Sequence, residues 1–432
     1  MMNHDEIKIH PAERLEGELR VPGDKSISHR AVMLAAIAEG ATRVEGFLEG
    51  EDPLSTVGFF RALGVDIDGP KDGSLTVHGR GPGGLRAPAG VLDARNSGTT
   101  MRLGLGILAG QPFEAVVTGD DSLRKRPMGR VAEPLRNMGA SVACEGENGT
   151  PPVRIRGGAL RNIDFNNKLA SAQVKSCVLL AGLFAKGTTW VRESRASRDH
   201  TERMLAHFGV NVLLEGDKVG VAGPVALEAA PVSVPGDISS AAFLMAAAAG
   251  LPGSDIVVEE VGVNATRTGL LTVLWRMGAQ VAIQDVRYEN AEPRAEIFVQ
   301  GGPLSAFEIG AEEVPSLIDE LPVLAVLATQ ADGRSVISGA RELRVKESDR
   351  IAALARNLAA LGARVEERED GLVVEGPGRL SGGEVDSFGD HRIAMAMMVA
   401  GLFADSPVTV RGVSCVDISY PGFPRVLEEL AE

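Results

Sequence analysis

Cysteine and positive charge are both scarce in this chain. Its 432 residues include three cysteines, Cys144, Cys177 and Cys415, and none of them forms a CxxC pair. This spacing carries no signature of a metal site, and so few unpaired cysteines suit a reducing cytoplasm. Lys and Arg number 44 against 58 Asp and Glu, which gives a net charge of −14. Such an acidic balance argues against nucleic acid or an anionic membrane as a partner.

Long apolar runs are also absent. The longest stretches are broken by glycine and polar residues, so none approaches the ~20 apolar residues of a membrane-spanning helix. The N-terminal sequence MMNHDEIKIH is acidic and short of apolar residues, and it predicts neither a secretory signal nor a transit peptide. We therefore expect a cytoplasmic protein that does not bind a membrane.

Repetition is the main feature that the chain does contain. With 44% hydrophobic and 24% charged residues, its 432 residues suffice for two or three globular domains. The motif VPGDKS at Val21–Ser26 returns as VPGDIS at Val234–Ser239, displaced by 213 residues. The chain therefore consists of two related halves.

A shorter repeat lies within each half. Glycines that end a helix follow one another at intervals of 75, 70, 69 and 84 residues, from Gly64 to Gly362. A second type of helix, rich in Ala, Leu, Met or Gly, also recurs six times. We expect these helices in the middle of each domain, because they are apolar on all sides. They are predicted at Lys25–Gly40, Ser97–Gly110, Ser171–Gly187, Ser239–Gly250, Asp319–Gly333 and His391–Asp405.

The repeats predict six helix–strand–helix–strand–strand units, three in each domain, with the buried helices packed by sheets. The first 20 residues precede the first unit. We therefore expect them to pair with strands of the second domain.

The N-terminal ends of the six buried helices hold most of the unusual polar residues. At the first end, Asp24, Ser26 and Ser28 are alternative N-caps, and Lys25 and Arg30 add positive charge. The fourth end, at residues 237–240, has lost its cation. Free N–H groups and cations at a helix N-terminus bind anions. If all six ends point into one interdomain cleft, that cleft holds two polyanions. Taken singly, each of these polar helix ends is also explained as a solvated helix cap.

Several motifs in this order resemble the enolpyruvyl transferase family, and the resemblance covers essentially the whole chain. The motifs are PGDKSISHR at Pro22–Arg30, NSGTTMR at Asn96–Arg102, KRP at Lys125–Pro127, SAQ at Ser171–Gln173, ESRASRDHTE at Glu193–Glu202, RVKESDR at Arg344–Arg350 and GDHRIAM at Gly389–Met395.

The resemblance implies an α/β fold of two lobes, each made of three βαβαββ units around buried helices, in an inside-out α/β barrel. Residues 1–20 and 236–432 would form one lobe and residues 21–235 the other, with the active site in the cleft between them. The implied reaction transfers the enolpyruvyl group of phosphoenolpyruvate to the 5-hydroxyl of shikimate 3-phosphate, through a tetrahedral ketal that then loses phosphate. No metal, nucleotide or covalent cofactor is needed, and we expect a monomer whose partners are these two substrates.

The family's ligands carry over to this chain by motif. The residues implied for shikimate 3-phosphate are Lys25, Ser26, Arg30, Ser171, Ala172, Gln173, Arg198, Asp319 and Lys346. Those implied for phosphoenolpyruvate are Lys25, Gly98, Arg126, Gln173, Arg350 and Arg392. Among them, Asp319 is expected to be the base near the 5-hydroxyl, and Lys25 stabilises charge on the shifting phosphate and carboxylate. Glu347 is expected to donate a proton to C3 and to accept it again.

The chain departs from the family's pattern in two places. Where a Lys usually precedes the C-terminal FP motif, this chain has the segment Asp417–Pro421, so one phosphoenolpyruvate contact is missing or supplied elsewhere. In the Arg-rich loop, Arg124 and Arg126 compete for one role, and Pro127 favours Arg126. Gly98 leaves the space that glyphosate, a small anion, occupies in the phosphoenolpyruvate site of this family.

Two other functions compete with this interpretation. The related transferase that acts on UDP-N-acetylglucosamine usually has Lys-Asn in the first motif and a cysteine in a mobile loop. This chain has Lys25-Ser26, and its loop Gly119–Pro127 has no cysteine. A non-catalytic repeat protein that binds anions would keep the caps and cations, but it has no reason to place Asp319 and Glu347 among them.

Overall fold

The computed structural model describes residues 5–168 and 170–431 of the chain. These residues cluster into two compact units. We call Gly23–Val234 with Tyr288–Glu292 the N-terminal lobe. The C-terminal lobe comprises the residues up to Pro22, Pro235–Arg287 and the residues from Pro293 onward.

Short strands alternate with helices along the whole chain. The strands are β1 (Glu6–Ile9), β2 (Glu16–Arg20), β3 (Ala38–Glu45), β4 (Asp66–Lys71), β5 (Ser74–Arg80), β6 (Leu92–Asp93), β7 (Glu114–Thr118), β8 (Ser141–Cys144), β9 (Val153–Arg156), β10 (Asp164–Asn166), β11 (Gly187–Arg192), β12 (Val212–Glu215), β13 (Lys218–Gly223), β14 (Leu227–Glu228), β15 (Val232–Ser233), β16 (Asp255–Gly262), β17 (Gln280–Glu289), β18 (Glu292–Gln300), β19 (Glu308–Ile309), β20 (Gly333–Ile337), β21 (Arg364–Arg368), β22 (Gly371–Gly376), β23 (Gly383–Asp386) and β24 (Val408–Arg411). The helices are α1 (Lys25–Ile37), α2 (Glu51–Ala62), α3 (Gly98–Ala109), α4 (Gly129–Met138), α5 (Ala172–Gly182), α6 (His200–His207), α7 (Ile238–Gly250), α8 (Gly269–Arg276), α9 (Val314–Leu317), α10 (Leu321–Leu327), α11 (Arg350–Ala360), α12 (His391–Leu402) and α13 (Phe423–Ala431).

One sheet pattern recurs through both lobes. Among the described residues the strands form six sheets, and four of them have the orders β6-β7-β9-β8, β10-β11-β13-β12, β19-β20-β22-β21 and β17-β18-β16-β2. In the first three, an edge strand runs parallel to its neighbour and the following pairs are antiparallel. The predicted repeat unit of two helices and three strands is therefore present, with one short parallel edge strand added.

The two N-terminal strands complete sheets of the C-terminal lobe, as the sequence predicted. Strand β1 lies antiparallel to β24, with Ile7 opposite Val410. Strand β2 lies parallel to β16, with Glu18 opposite Val257. Within the N-terminal lobe, β14 and β15 return to pair with β3. In each lobe, strands from a distant part of the chain thus complete the sheets.

The apolar helices lie in the cores, as predicted. In α12, every residue from His391 to Leu402 is buried, and α7 is buried over Ile238–Ala249. Helices α7, α10 and α12 contact one another in the core of the C-terminal lobe, and α1, α3 and α5 occupy the core of the N-terminal lobe. Among the described residues, no helix is long and apolar enough to cross a membrane.

Several buried helices end earlier than the sequence predicted. Helix α1 gives way to extended backbone at Ala38, so Gly40 lies inside β3 with φ of +109°. Gly187 and Gly333 likewise begin β11 and β20 with positive φ. The predicted fifth helix begins at Leu321 rather than Asp319, with Pro322 in its first turn. These glycines serve the start of the next strand, where their left-handed backbone suits a residue without Cβ.

Candidate active site

The N-terminus of α1 is capped by Asp24, whose side chain accepts a hydrogen bond from the backbone N–H of Ile27. This decides among the three caps that the sequence allowed. Lys25 follows, and its Nζ lies 3.2 Å from Oδ2 of Asp52 in the first turn of α2. The Lys25 side chain is 18% exposed. A cation is therefore held at this helix end with an open approach, and Ser26 beside it is half-buried.

Arg30 is buried beneath this end and joins α1 to two other helices. Its Nε donates to Oγ1 of Thr201 at 2.7 Å, its Nη1 to the carbonyl oxygen of Ser26 at 2.9 Å and its Nη2 to Oγ of Ser176 at 2.9 Å. Burial is the main cause that lowers the pKa of Arg30 to about 10, with neighbouring carboxylates opposing the shift and Arg198 adding to it. The guanidinium remains charged at neutral pH, and it has further N–H donors for a ligand.

Helix α3 begins between two guanidinium groups. Ser97 is its N-cap and accepts a hydrogen bond from the backbone N–H of Thr100. A Cβ added to Gly98 would lie 2.8 Å from Nη1 of Arg102 and 3.6 Å from Nη1 of Arg126. The backbone at Gly98 is thus a small, positively charged recess. A carboxylate or phosphate fits such a recess, because charge-assisted hydrogen bonds are the strong ones.

Arg126 and Arg124, which the sequence left as competitors, lie in different environments. Arg126 is buried, and its Nη2 donates to Oδ1 of Asn96 at 2.8 Å and to Oγ of Ser122 at 3.1 Å. Arg124 is exposed, and its Nε donates to Oγ1 of Thr118 at 3.1 Å. Of the two, Arg126 is therefore the one placed beside Gly98.

The start of α5 joins the start of α3. Nη1 of Arg102 donates to Oε1 of Gln173 at 2.6 Å, and Nε2 of Gln173 donates to Oγ1 of Thr99 at 3.0 Å. Ser171, Ala172 and Gln173 are each half-buried. Arg102 is the last residue of the NSGTTMR motif, but it was not among the expected ligands. Its position between Gly98 and Gln173 makes it a candidate ligand.

Lys175, one turn further along α5, is held in a buried ionic cluster. Its Nζ lies 3.0 Å from Oε2 of Glu193 and 2.7 Å from Oε1 of Glu202. Burial raises the pKa of Glu202, with Lys175 opposing that rise. Burial alone would lower the pKa of Lys175, but Glu202 and Glu193 outweigh it and leave the pKa raised. This cation serves the fold around α5 and does not line the recess at Gly98.

The C-terminal lobe places its predicted residues around Arg350, the first residue of α11. Nε of Arg350 lies 2.8 Å from Oδ2 of Asp390, its Nη2 lies 2.6 Å from Oε2 of Glu347, and its Nη1 lies 3.5 Å from Oδ1 of Asp319. Burial alone would lower the pKa of Arg350, but the three carboxylates, Asp390 first, raise it above its usual value. A permanently charged guanidinium therefore holds both predicted acid–base residues.

Arg392 stands on the other side of Asp319. It follows Asp390, which caps α12 and accepts a hydrogen bond from the backbone N–H of Arg392 at 2.9 Å. Nε of Arg392 lies 3.5 Å from Oδ1 of Asp319, and its Nη1 donates to the Asp319 carbonyl oxygen at 3.2 Å. Lys346 is half-buried, with its Nζ 4.0 Å from Oε1 of Glu342. Asp390, which binds the Arg350 side chain and the Arg392 backbone, was missed as a site residue although it lies in the GDHRIAM motif.

The fourth buried helix has a cation after all, which corrects the sequence analysis. Arg267, in the loop before α8, is fully buried, and its Nη2 lies 3.1 Å from Oδ1 of Asp237, the N-cap of α7, and 2.7 Å from Oγ of Ser239. Ser239 in turn donates to Glu320. No pattern at the cap itself could have indicated Arg267, because it lies 30 residues from Asp237.

The C-terminal segment that lacks the family's Lys is only partly in the core. The Tyr420 ring is 1% exposed, and its centroid lies 5.1 Å from that of Phe423. Burial raises the pKa of the Tyr420 hydroxyl well above its usual value. Asp417 is exposed. No residue from Asp417 to Pro421 therefore brings a cation to the place of the missing contact. Across the part of the chain that the structure describes, no group of His, Cys, Asp and Glu could hold a metal ion.

The two lobes thus carry complementary chemistry. The N-terminal lobe presents Lys25, Arg102, Arg126 and helix N-termini, which are suited to anions. The C-terminal lobe presents carboxylates and guanidinium groups in direct contact, which are suited to proton transfer beside an anion. A family model described as EPSP synthase (3-phosphoshikimate 1-carboxyvinyltransferase) matches residues 9–427. The chain belongs to the EPSP synthase family.

Relatives and solved structures of EPSP synthases match the chain over nearly its full length. The 3-phosphoshikimate 1-carboxyvinyltransferase of Desulforamulus reducens is 52% identical over 98% of this chain and 99% of the relative. That of Desulforudis audaxviator is 53% identical over 98% and 99%. The structure of EPSP synthase from Acinetobacter baumannii has a TM-score of 0.89 at 48% identity, covering 99% of this chain and 98% of that one.

A more distant structure shares the fold. The enolpyruvyl transferase NikO from Streptomyces tendae has a TM-score of 0.78 at 20% identity, covering 99% of this chain and 97% of that one. These matches confirm the predicted family, the two-domain α/β fold and the predicted EPSP synthase activity as a transferase of the shikimate pathway. The UDP-N-acetylglucosamine transferase and the non-catalytic repeat protein are set aside.

Proposed function

We propose that this chain performs the EPSP synthase reaction with substrate residues drawn from both lobes. In that reaction, the 5-hydroxyl of shikimate 3-phosphate attacks C2 of phosphoenolpyruvate, and phosphate leaves the resulting tetrahedral ketal. The observation that carries the proposal is the contact of one buried guanidinium, Arg350, with both candidate acid–base groups, Asp319 and Glu347. We further propose that the residues of each lobe act on the same pair of substrates.

The shikimate 3-phosphate ligands are proposed as two groups. The N-terminal lobe supplies cations and helix ends for the phosphate and carboxylate, and the C-terminal lobe supplies groups for the ring hydroxyls. Support comes from the half-buried starts of α1 and α5, which leave hydroxyl and N–H groups accessible. The proposed residues are Lys25, Ser26, Arg30, Ser171, Ala172, Gln173 and Arg198 for the first group and Asp319 and Lys346 for the second.

Phosphoenolpyruvate is proposed to bind where guanidinium groups lie beside backbone that no Cβ covers. Its ligands are Lys25, Gly98, Arg126, Gln173, Arg350 and Arg392. Support comes from the two guanidinium groups beside Gly98 and from the pair formed by Arg350 and Arg392 around Asp319. A partly buried set of fixed cations stabilises the charge that develops on the phosphate as the ketal forms and collapses.

Two carboxylates are proposed to move the protons. Asp319 accepts the proton of the 5-hydroxyl while Glu347, in its protonated form, donates a proton to C3 of phosphoenolpyruvate and becomes a carboxylate. In the elimination step Glu347 takes a proton back from C3, and the C–O bond to phosphate breaks. Arg350 binds both carboxylates, so an anion that engages Arg350 weakens those ion pairs and leaves the carboxylates available for proton transfer.

We also propose that the enzyme is a monomer in the cytoplasm. The cysteines Cys144, Cys177 and Cys415 are free thiols, which suits a reducing compartment. Light scattering at micromolar concentration tests the oligomeric state, with a mass near 45.3 kDa expected.

Phosphate release tests the proposed acceptor directly. Purified protein is incubated with phosphoenolpyruvate alone, with phosphoenolpyruvate and shikimate 3-phosphate, and with phosphoenolpyruvate and UDP-N-acetylglucosamine. We expect phosphate release in the second mixture and none above background in the other two. Release with the nucleotide sugar, or release that needs no acceptor, would overturn the proposed function.

A further inference from the structure

A chain of buried hydroxyl groups runs through the N-terminal lobe beneath the proposed anion site. Oγ1 of Thr100 lies 2.6 Å from Oγ1 of Thr56, 2.9 Å from Oγ of Ser55 and 2.9 Å from Oγ of Ser97. Nδ1 of His29 lies 2.6 Å from Oγ1 of Thr56. We call these five residues the hydroxyl network. Each of them is buried, with at most 3% of its surface exposed.

The hydroxyl network joins α1 and α3, which carry proposed anion ligands, to α2. His29 lies on α1, Ser55 and Thr56 on α2, and Thr100 on α3. Ser97 is the N-cap of α3. Thr100 is the hub, because its one hydroxyl contacts partners on α2 and at the end of α3. Rotation or translation of any of these helices relative to the others would break a bond of the network.

Both ends of the hydroxyl network touch residues that neighbour proposed ligands. Ser97 directly precedes Gly98, and its hydroxyl oxygen accepts the backbone N–H of Thr100 at 3.0 Å. Ser55 donates to the carbonyl oxygen of Asp52 at 2.6 Å, and the Asp52 carboxylate lies 3.2 Å from Nζ of Lys25. A continuous set of hydrogen bonds therefore runs from Ser97, the residue before Gly98, to the backbone carbonyl of Asp52, the residue whose carboxylate holds Lys25.

Stability alone does not account for such a network. Burying hydroxyl groups costs free energy unless each finds a partner, and apolar residues of the same shape fill a core at no greater cost. Thr42 in β3 is a buried hydroxyl outside the network. Within the described residues its Oγ1 has no hydrogen-bond partner, in contrast to the network's hydroxyl groups. The polar connections are better explained by the geometry that they fix.

We propose that the hydroxyl network positions Lys25 and the backbone at Gly98 relative to each other and thereby sets the affinity for phosphoenolpyruvate. Its members are positioning residues, since they act through Asp52 and Ser97 rather than on a substrate. The inference rests on the proposed function, which assigns Gly98 and Lys25 to this anion. Ser171 and Arg198, proposed for shikimate 3-phosphate, lie outside the network.

Isosteric substitutions test the network. Thr56→Val and Thr100→Val each remove a hydroxyl while keeping the side-chain shape, and Thr42→Val is the matched control. We expect KM for phosphoenolpyruvate to rise about fivefold or more in the two network variants, as for loss of a buried hydrogen bond. KM for shikimate 3-phosphate should rise less, because that substrate shares Lys25 with phosphoenolpyruvate but does not contact Gly98. In Thr42→Val both constants should equal those of the wild type, and Thr56→Ser and Thr100→Ser should recover most of the affinity.

Each outcome of this experiment either supports or overturns the proposed role of the hydroxyl network. Unchanged KM for phosphoenolpyruvate in a folded Thr56→Val or Thr100→Val enzyme overturns the network's role, as do equal rises in both KM values or a lower melting temperature with no kinetic change. If one valine variant does not fold, the other carries the test, because either one breaks the bond at Oγ1 of Thr100. A wild type that shows no turnover of the two substrates overturns the proposed function itself, and the network's role with it.

Discussion

Arg350 binds both carboxylate oxygens of Asp390, with Nε 2.8 Å from Oδ2 and Nη2 3.3 Å from Oδ1. This bond joins the first residue of α11 to the N-cap of α12, two residues before Arg392. Asp390 is fully buried. The remaining contacts of the Arg350 guanidinium are with Glu347 and Asp319. One carboxylate therefore binds the guanidinium of Arg350 and the backbone N–H of Arg392, which ties the two arginines to a common point.

Removal of the Arg392 guanidinium should weaken the use of phosphoenolpyruvate. A hydrogen bond to a charged group is worth ~1.5–3 kcal/mol, so we expect Arg392→Ala to lower kcat/KM for phosphoenolpyruvate by ~10–150-fold. The control is Arg379→Ala, since Arg379 belongs to the same lobe and its side chain is 82% exposed. Steady-state kinetics at saturating shikimate 3-phosphate measures the effect. Equal activity of the two variants would remove Arg392 from the site.

At the two proposed proton-transfer residues, the effect of a substitution on kcat should be separable from its effect on substrate affinity. Glu347→Gln and Asp319→Asn keep the side-chain shape and abolish proton exchange, so we expect each to lose most of kcat. Shikimate 3-phosphate, measured by calorimetry, should still bind within a few-fold of the wild-type affinity. Glu428→Gln is the control, because Glu428 is exposed on α13. A kcat close to the wild-type value in either variant would show that its carboxylate does not transfer the proton.

His29 should make the fold less stable in mild acid. Burial, with help from Lys25 and Arg30, lowers the pKa of the His29 ring well below its usual value. The folded protein therefore keeps the ring neutral, whereas the unfolded chain protonates it near pH ~6.5. Stability from this group is complete above that pH, and it decreases by up to ~1.4 kcal/mol for each pH unit below it.

Urea unfolding of the wild type and of His29→Asn between pH 5 and 7.5 checks this expectation. The Asn side chain keeps a polar group for Oγ1 of Thr56 but does not titrate. We expect the stability of the variant to vary less with pH than that of the wild type. The other histidines are common to both proteins, so parallel curves would mean that His29 does not contribute to the pH dependence.

Much of the fold was predictable because it repeats. The second VPGD motif, at Val234–Asp237, and the regular glycines mark units that each need neighbours to bury an apolar helix, and the sheets follow that division. The helix ends were less predictable, since glycines such as Gly40 were assigned to helix stops although they begin strands. A glycine with positive φ suits both places.

Most of the proposed site residues lie in motifs that resemble the family's, as Lys25, Gly98, Gln173, Glu347 and Arg392 do. Asp319 was expected from the same resemblance although none of these motifs contains it. Arg267 and Asp52 could not be identified, because each meets its partner through tertiary packing, 27 to 30 residues away in sequence. No spacing rule links residues so far apart, so a single sequence does not reveal which buried charged residues form ion pairs.

Glyphosate occupies the phosphoenolpyruvate site in this family. Gly98 keeps the recess between Arg102 and Arg126 open, and resistant forms of the family typically carry alanine at this position. In this chain an added methyl would lie 2.8 Å from Nη1 of Arg102, so Arg102 must shift, and with it the bond to Oε1 of Gln173 at 2.6 Å. We therefore expect the wild type to be inhibited competitively with phosphoenolpyruvate.

We expect Gly98→Ala to be inhibited more weakly, and its KM for phosphoenolpyruvate to rise as well, because the shifted Arg102 serves both anions. Gly58→Ala is the control, since an added Cβ there meets no atom within 4 Å. An inhibition series on the three proteins at fixed shikimate 3-phosphate measures both effects. Ser97 and Leu103 stand where sensitive forms usually have Ala and Pro, so a resistant wild type would show that these neighbours outweigh Gly98. Equal inhibition of the wild type and Gly98→Ala would rule out the steric argument, because the methyl group would then leave the glyphosate site unchanged.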